Sequence, residues 1–117
     1  MIAPGTGLRI LVATQPVDFR RGMDSLAVLV SEALRDNPFS GSFFVFRSKR
    51  ADRIKILAWD GTGLCLYSKR LENRGFVWPP IRDGSITLSP SQLSLLIDGS
   101  DWRHVSVPVV KTPSRAG

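Results

Sequence analysis

Cysteine and histidine are almost absent from this sequence, since Cys65 and His104 are the single residues of each type. A lone cysteine excludes an internal disulfide and fits a reducing compartment. One histidine and one cysteine cannot build a His/Cys zinc site, and His104, close to a Pro- and Gly-containing C-terminus, is a poor candidate for a catalytic triad. The sequence therefore predicts no such enzyme class and no cofactor.

Long apolar runs are also missing. The sequence has no stretch of about eighteen apolar residues, the length that a membrane-spanning helix needs. The N-terminus lacks the charged-then-apolar pattern of a secretory signal. We therefore expect a cytoplasmic protein without contact to a membrane.

Acidic residues are fewer than basic ones. The chain has 10 Asp and Glu and 16 Lys and Arg, which gives a net charge of +6. This excess favours an anionic partner such as nucleic acid. At 117 residues the chain suits one domain. We expect that domain at 8–102, after a flexible lead-in at 1–7 and before a basic, disordered tail at 103–117.

The positive charge is concentrated between Phe43 and Trp78. This stretch holds eight Lys and Arg against three acids, which is five of the six net charges. Its apolar runs are rich in aromatic and β-branched residues and cover residues 42–47, 53–60 and 64–71. Turn residues separate these runs, among them Gly61-Thr62-Gly63, whose glycines tolerate positive φ angles. The stretch therefore predicts an antiparallel β-meander.

The predicted strand register sorts the side chains of this meander onto two faces. With residues 48–52 closing the first hairpin, Arg47 lies opposite Arg53; with the glycine turn closing the second, Trp59 lies opposite Cys65. The expected wet face carries Phe43, Val45, Arg47, Arg53, Lys55, Leu57, Trp59, Cys65, Tyr67 and Lys69. The expected core face, covered by a helix, carries Phe44, Phe46, Ile54, Ile56, Ala58, Leu64 and Leu66.

A face that mixes cations with aromatic rings is typical of surfaces that hold phosphates and stack on bases. The nucleic-acid-binding residues predicted in the meander are Arg47, Lys49, Arg50, Arg53, Lys55, Trp59, Tyr67, Lys69 and Arg70. Like charges opposite each other, as at Arg47 and Arg53, need solvent or an anionic partner. The alternative is an ordinary solvated face, on which cationic stems lie over Trp59 and Tyr67.

Two helices and two further strands are predicted around the meander. Apolar residues at helical spacing, Met23, Leu26, Ala27, Val30 and Leu34, predict the main helix, which Asn37-Pro38 ends. Ser89 and Pro90 predict the start of a short second helix, and Gly99 predicts its end. Residues 8–13 and 86–88 have strand-like patterns. The predicted architecture is a small α+β domain, an antiparallel meander sheet packed by one main helix and a short C-terminal helix.

Arg20 and Arg21 precede the main helix, where free backbone N–H groups favour anions, so they are further candidates for holding a phosphate. The alternative is local pairing with Asp18 and Asp24. A metal-dependent nuclease would need several acids converging on Mg²⁺. The acids available lie mainly at turns and helix ends, where local roles explain them, so no catalytic or metal-binding residue is predicted.

The order of motifs resembles one known family. The matching residues span about 8 to 102 and include Thr14-x-Pro16-x-Asp18-x-Arg20-x-Gly22, Phe44-Val45-Phe46-Arg47, Asp52-Arg53-Ile54-Lys55, Trp59-Asp60-Gly61-x-Gly63-Leu64-x-Leu66-Tyr67-x-Lys69-Arg70-Leu71-Glu72, Phe76-x-Trp78-Pro79, Gln92-Leu93-x-x-Leu96 and Asp101-Trp102. They resemble the TnpB accessory proteins of the IS-sixty-six class of bacterial insertion sequences, which are unrelated to the RNA-guided nuclease of the same name. The family pattern often has glycine before the position of Asp52, where this chain has Ala51.

The resemblance implies a protein that is encoded beside a separate, larger transposase and is needed for transposition without being the strand-transfer enzyme. Together with the basic face, it predicts a non-enzymatic accessory factor that binds nucleic acid, with DNA as the favoured partner. The alternative is a protein-interaction module that docks the transposase or another accessory protein of the element, with Trp59, Tyr67 and Arg side chains as anchors. A metal-dependent nuclease is the least favoured hypothesis.

Overall fold

The structure, a computed structural model, describes residues 7–104. Its elements in chain order are β1 (Ile10–Ala13), α1 (Met23–Glu32), β2 (Phe43–Arg47), β3 (Arg53–Trp59), β4 (Leu64–Arg70), β5 (Ser85–Leu88) and α2 (Pro90–Asp98). The strands form one five-stranded sheet in the order β4-β3-β2-β1-β5. The predicted α+β class is confirmed, whereas most of the predicted lead-in and tail lies outside the described residues.

The sheet is mixed and not purely antiparallel as predicted. β2, β3 and β4 form the expected meander, but β1 pairs with β2 in parallel, with Ile10 beside Phe43. Parallel neighbours need a crossover connection, and α1 lies in the one that joins β1 to β2. β5 completes the sheet by pairing antiparallel with β1. The parallel pair brings the C-terminal ends of β1 and β2 to the same end of the sheet.

Strand β3 is displaced by one residue from its predicted register against both neighbours. Arg47 lies opposite Ile54, and Trp59 lies opposite Leu64. The first connection is thus one residue longer than predicted, and it contains Ala51 at a left-handed φ of 66°. The second connection is one residue shorter. Because side chains alternate along a strand, this displacement moves every β3 side chain to the face opposite the predicted one.

Helices cover both faces of the sheet, which explains how the displaced strand stays buried. One core, against α1, contains Ala13, Leu26, Ala27, Val30, Phe44, Phe46 and Leu57. The other core, beneath α2, contains Ile10, Val12, Val45, Ile54, Ile56, Phe76, Leu88, Leu93, Leu96 and Trp102. The predicted single wet face is therefore wrong, since its members Val45 and Leu57 are fully buried on opposite sides of the sheet.

The second helix begins and ends where the sequence predicts. Ser89 Oγ accepts a hydrogen bond from the Gln92 backbone N–H, and the Gln92 side chain accepts one from the Ser89 N–H. Gly99 follows the helix with a left-handed φ of 81°. Trp102 then donates from its indole to the carbonyl of Val77 at 2.6 Å. The caps define the ends of α2, and the Trp102 hydrogen bond holds the segment that follows α2 against Val77.

Candidate nucleic-acid interface

The predicted basic and aromatic face is not formed, because its residues are divided between the two faces of the sheet. β3 places Arg53, Lys55 and Trp59 on the α1 side. β2 and β4 place Arg47, Tyr67 and Lys69 on the α2 side. The physical reason is the one-residue displacement of β3 between its neighbours.

The cations gather instead at one end of the sheet. Arg47 ends β2, Arg53 begins β3 and Arg70 ends β4. The loop after β1 reaches the same end, where the Val17 N–H donates to the Arg47 carbonyl at 2.9 Å. We call this region the cationic end and define it as Arg20, Arg21, Arg47, Lys49, Arg50, Arg53 and Arg70. Seven predicted binding residues are thus brought together at the end of the strands, not on a face of the sheet.

A cleft of about 370 Å³ with charged and apolar lining residues opens at the cationic end. It lies between the loop that follows β1 and the hairpin loop between β2 and β3. Its lining residues are Val17, Asp18, Phe19, Ser48, Lys49, Arg50, Asp52 and Arg53. Phe19 and Ser48 are not among the predicted binding residues. In the sequence, only the position of Phe19 beside Arg20 indicates a place in the site.

Three cations of this cleft are unpaired within the described part of the chain. Lys49, Arg50 and Arg53 are exposed, and their side chains make no hydrogen bond or ion pair with any described residue. Ammonium and guanidinium groups are strong donors to phosphate oxygens, and guanidinium can bind two of them at once. These side chains are therefore available to an anion without first giving up a protein partner.

Arg20 and Asp18 form a local ion pair, as the alternative prediction for Arg20 proposed. The Arg20 guanidinium lies 2.6 Å from the Asp18 carboxylate, and the Arg20 backbone N–H also donates to it. These hydrogen bonds hold the pKa of Asp18 well below its ordinary range. Arg21 donates instead to the Ser25 hydroxyl at 2.8 Å.

Lys55 is a structural anchor for the loop beside the cleft. Its ammonium donates to the carbonyls of Phe19 at 2.7 Å and Arg21 at 2.9 Å. It also lies 5.0 Å from the centre of the Phe19 ring. Lys55 therefore positions the loop that carries Arg20 and Arg21, and two of its three N–H donors are already used.

Lys69, Arg70 and Arg47 also have protein partners. Lys69 donates to the carbonyl of Ile97 in the last turn of α2 at 2.8 Å, where a cation is favourable. Arg70 pairs with Glu72 at 3.2 Å. The Arg47 guanidinium lies 5.5 Å from the centre of the Trp78 ring, and partial burial lowers its pKa.

Tyr67 and Trp59 lie away from the cationic end. Tyr67 borders an apolar groove of about 420 Å³ beside α2. Trp59 belongs to the α1 side by its strand position, but as the last residue of β3 it also borders this groove, and it meets the edge of Phe39 at a ring distance of 5.5 Å. Tyr67 is 46% exposed. The structure therefore separates the predicted stacking residues from the predicted phosphate-binding residues.

The acids considered for a nuclease have local roles. Asp60 accepts hydrogen bonds from the backbone N–H groups of Thr62 and Gly63 at 2.9 Å, and these bonds lower its pKa. Asp101 pairs with Arg103 at 2.8 Å. Among residues 7–104, no group of three or more His, Cys, Asp or Glu is placed to hold a metal. Neither described helix is long and apolar enough to cross a membrane.

Comparison with known proteins places the chain in one family. A family model described as IS66 Orf2 like protein matches residues 8–107. Two similar proteins of Sinorhizobium fredii (strain NBRC 101917 / NGR234) are uncharacterised: y4jC is 51% identical and covers 98% of both chains, and y4hO is 45% identical and covers 89% of this chain and 90% of its own. No solved structure gives a significant match. The chain therefore belongs to the IS66 Orf2-like family of insertion-sequence accessory proteins, which confirms the resemblance seen in its motifs.

Proposed function

We propose that this protein is a non-catalytic accessory factor in transposition that binds nucleic acid, most favourably DNA, through the cationic end. The observation that carries the proposal is the group of three exposed, unpaired cations around one cleft, Lys49, Arg50 and Arg53. The two carboxylates that line the same cleft, Asp18 and Asp52, are fewer than these cations, and Asp18 is already paired with Arg20. The whole chain carries +6. Such a region attracts a polyanion and contacts its phosphates.

Two structural features next to the cleft favour the binding of an anion there. Arg70 lies directly opposite Arg53 in the sheet and places a second guanidinium beside it, which is paired with Glu72. The N-cap of α1 is Gly22, which offers no side chain to the first N–H groups of the helix. Such uncapped groups favour an anion, and the sequence places Arg20 and Arg21 immediately before them.

The expected mode of binding follows from the separation of the cations from the aromatic rings. Tyr67 and Trp59 border a separate groove, so base stacking on these rings is not part of the proposed interface. Contacts to phosphate give affinity with little reading of sequence. We therefore expect a duplex to bind at least as well as a single strand, with a weak preference for sequence.

A fluorescence-anisotropy titration against duplex and single-stranded DNA at several salt concentrations tests the proposal. If about five phosphates are neutralised, log K falls with log salt at a slope near −4 to −5. Replacing Lys49, Arg50 and Arg53 together by alanine should make that slope shallower by roughly 3.

The matched control is Arg35→Asn, which removes a cation beyond the C-terminal end of α1. Arg35 has a left-handed φ of 53°, and asparagine tolerates that conformation better than most residues. This variant should keep the slope of the wild-type protein. A flat salt response, or a triple variant that binds like the wild type, would refute the proposal.

A further inference from the structure

The outer edge of β4 is unprotected in the described part of the chain. β4 is the first strand of the sheet and pairs only with β3 there. Its seven residues, Leu64–Arg70, run in unbroken register with β3 and contain neither proline nor a bulge. Proteins commonly shield such edges with prolines, bulges, short strands or charged side chains, and the charged side chains of β4, Lys69 and Arg70, stand only at its C-terminal end. By contrast, the opposite edge strand β5 has only four residues.

An apolar groove lies directly beside this edge on the α2 side of the sheet. Strand β4 contributes Cys65 and Tyr67 to it, and α2 contributes Leu93 and Ile97. Tyr67 is 46% exposed although it stands in the middle of the strand. An open strand edge next to an open apolar groove is a surface onto which another strand can add.

We propose that a second copy of this chain covers the surface, with the two β4 strands paired antiparallel about a two-fold axis at Tyr67. In this register Cys65 lies opposite Lys69 of the second copy, and Leu64 lies opposite its Arg70. The axis is perpendicular to the sheet, so both α2 sides face the same way. The two Tyr67 rings then meet, and the two grooves join beneath them.

The distribution of charge along β4 favours this arrangement. The cations of the strand are at its C-terminal end, Lys69 and Arg70, and Asp60 precedes its N-terminal end. Antiparallel pairing places the two Lys69 residues about 14 Å apart and the two Arg70 residues about 20 Å apart, and both distances exceed the screening length of about 8 Å in physiological salt. It also brings Arg70 of each copy toward the Asp60 turn of the other. Parallel pairing would place like charges side by side.

A cross-linking experiment tests the register. The proposed axis places the two residue-67 Cα atoms about 4.5–5.5 Å apart, which lies within the roughly 4.4–6.8 Å that a disulfide spans. Tyr67→Cys in a Cys65→Ser background should therefore form a covalent dimer quickly under mild oxidation. The control is Val28→Cys in the same background, since Val28 is 50% exposed on α1 and should cross-link only by slow collision.

Sedimentation analysis of the full chain over a concentration series tests the association itself. We expect a reversible dimer that Tyr67→Lys weakens at least tenfold, because two ammonium groups would meet at the axis, and that Val28→Lys leaves unchanged. Three results would each overturn the proposal: a wild-type monomer into the submillimolar range, a dimer insensitive to Tyr67→Lys, or cysteines at 67 that cross-link no faster than those at 28. The DNA titration is independent of all three.

Discussion

Arg53 and Arg70 lie directly opposite each other across β3 and β4. Both are exposed, and Glu72 balances only the charge of Arg70, through its ion pair at 3.2 Å. Like charges at opposed strand positions destabilise a sheet. An anion held between the two strand ends would relieve this repulsion, so the pair links the stability of the free protein to the proposed binding of phosphate.

Arg53→Gln should therefore stabilise the free protein and weaken its binding to DNA. Removing one of two opposed charges is expected to raise the free energy of unfolding by about 0.2–1 kcal/mol. The same change removes one of the unpaired cations of the cleft, so affinity for DNA should fall. Urea unfolding and the anisotropy titration measure the two effects. A variant that loses both stability and affinity would contradict this explanation.

Lys55→Met should destabilise the protein, although the sequence placed Lys55 among the phosphate-binding residues. The substitution keeps the apolar stem and removes the ammonium that holds the carbonyls of Phe19 and Arg21. Loss of hydrogen bonds from a charged donor costs about 1.5–3 kcal/mol. Chemical denaturation provides the measurement.

Lys49→Met is the matched control for Lys55→Met, because Lys49 is exposed in the hairpin loop and has no partner among the described residues. Its unfolding free energy should change by no more than about 0.5 kcal/mol, while its affinity for DNA falls. Equal stability of the two variants would show that the anchor at Lys55 contributes little.

These two lysines show what sequence reasoning could and could not supply. Both belong to the same basic stretch, and nothing in their sequence neighbourhood distinguishes one from the other. The partners of Lys55 are carbonyls 34 and 36 residues earlier in the chain, so only the tertiary fold identifies it as an anchor. The bounds of α2 were more predictable, because Ser89, Pro90 and Gly99 act locally at its ends, whereas α1 ends at Glu32, before the predicted stop at Asn37-Pro38.

The strand register could not be predicted, since it depends on the geometry of the turns. A left-handed Ala51 lengthens the first connection, and nothing in its residue type indicates that conformation. One signal of the true arrangement was present. Val45 and Leu57 were assigned to a wet face, and apolar residues on both sides of a strand are typical of a sheet that is covered on both faces.

Ala51→Gly should stabilise the protein. Ala51 has a φ of 66°, a conformation that costs a residue with a Cβ about 1–2 kcal/mol. Glycine avoids this cost but loses roughly 0.5–1 kcal/mol through its greater freedom in the unfolded chain, so a net gain between zero and about 1.5 kcal/mol is expected. Its carbonyl would still accept from Phe76 and Trp78.

Thermal unfolding measures this gain, which corresponds to a rise in Tm of a few degrees. Ala33→Gly is the control, because Ala33 has a right-handed φ of −94° at the end of α1. Glycine relieves no strain there and should lower stability slightly. A fall in Tm for both variants would mean that the left-handed turn carries no appreciable strain.

Asp60→Asn should reduce the loss of stability in acid. Hydrogen bonds from the N–H groups of Thr62 and Gly63 lower the pKa of Asp60 in the folded protein. A lowered carboxyl pKa stabilises the folded state above the unfolded pKa of about 3.9, and this contribution is lost as the pH falls through the folded pKa. The amide oxygen of asparagine can accept the same bonds without titrating.

Tm is measured for the wild type and the variants from pH 7 down to about pH 2.5, a range that extends below the unfolded carboxyl pKa of about 3.9. The wild type should lose more stability than the D60N variant. Asp83→Asn serves as the control, since Asp83 is exposed and lies outside the Asp60 turn, and an asparagine oxygen can still accept the hydrogen bond from Gln15; this variant should follow the wild-type curve. Parallel curves for all three proteins would show that the Asp60 turn does not contribute to acid sensitivity.

Asp60→Asn should also make Cys65 more reactive at mildly alkaline pH. The thiol donates to the Asp60 carboxylate at 3.4 Å, and this bond raises the pKa of Cys65. Removing the charge should lower that pKa toward its ordinary value, which enlarges the thiolate fraction at pH 8, and the thiolate is the form that alkylates. The rate of iodoacetamide labelling from pH 7 to 10 should therefore rise at a lower pH in the variant than in the wild type. Unfolded samples of both proteins should react alike, and identical profiles in the folded proteins would show that Asp60 does not control the thiol.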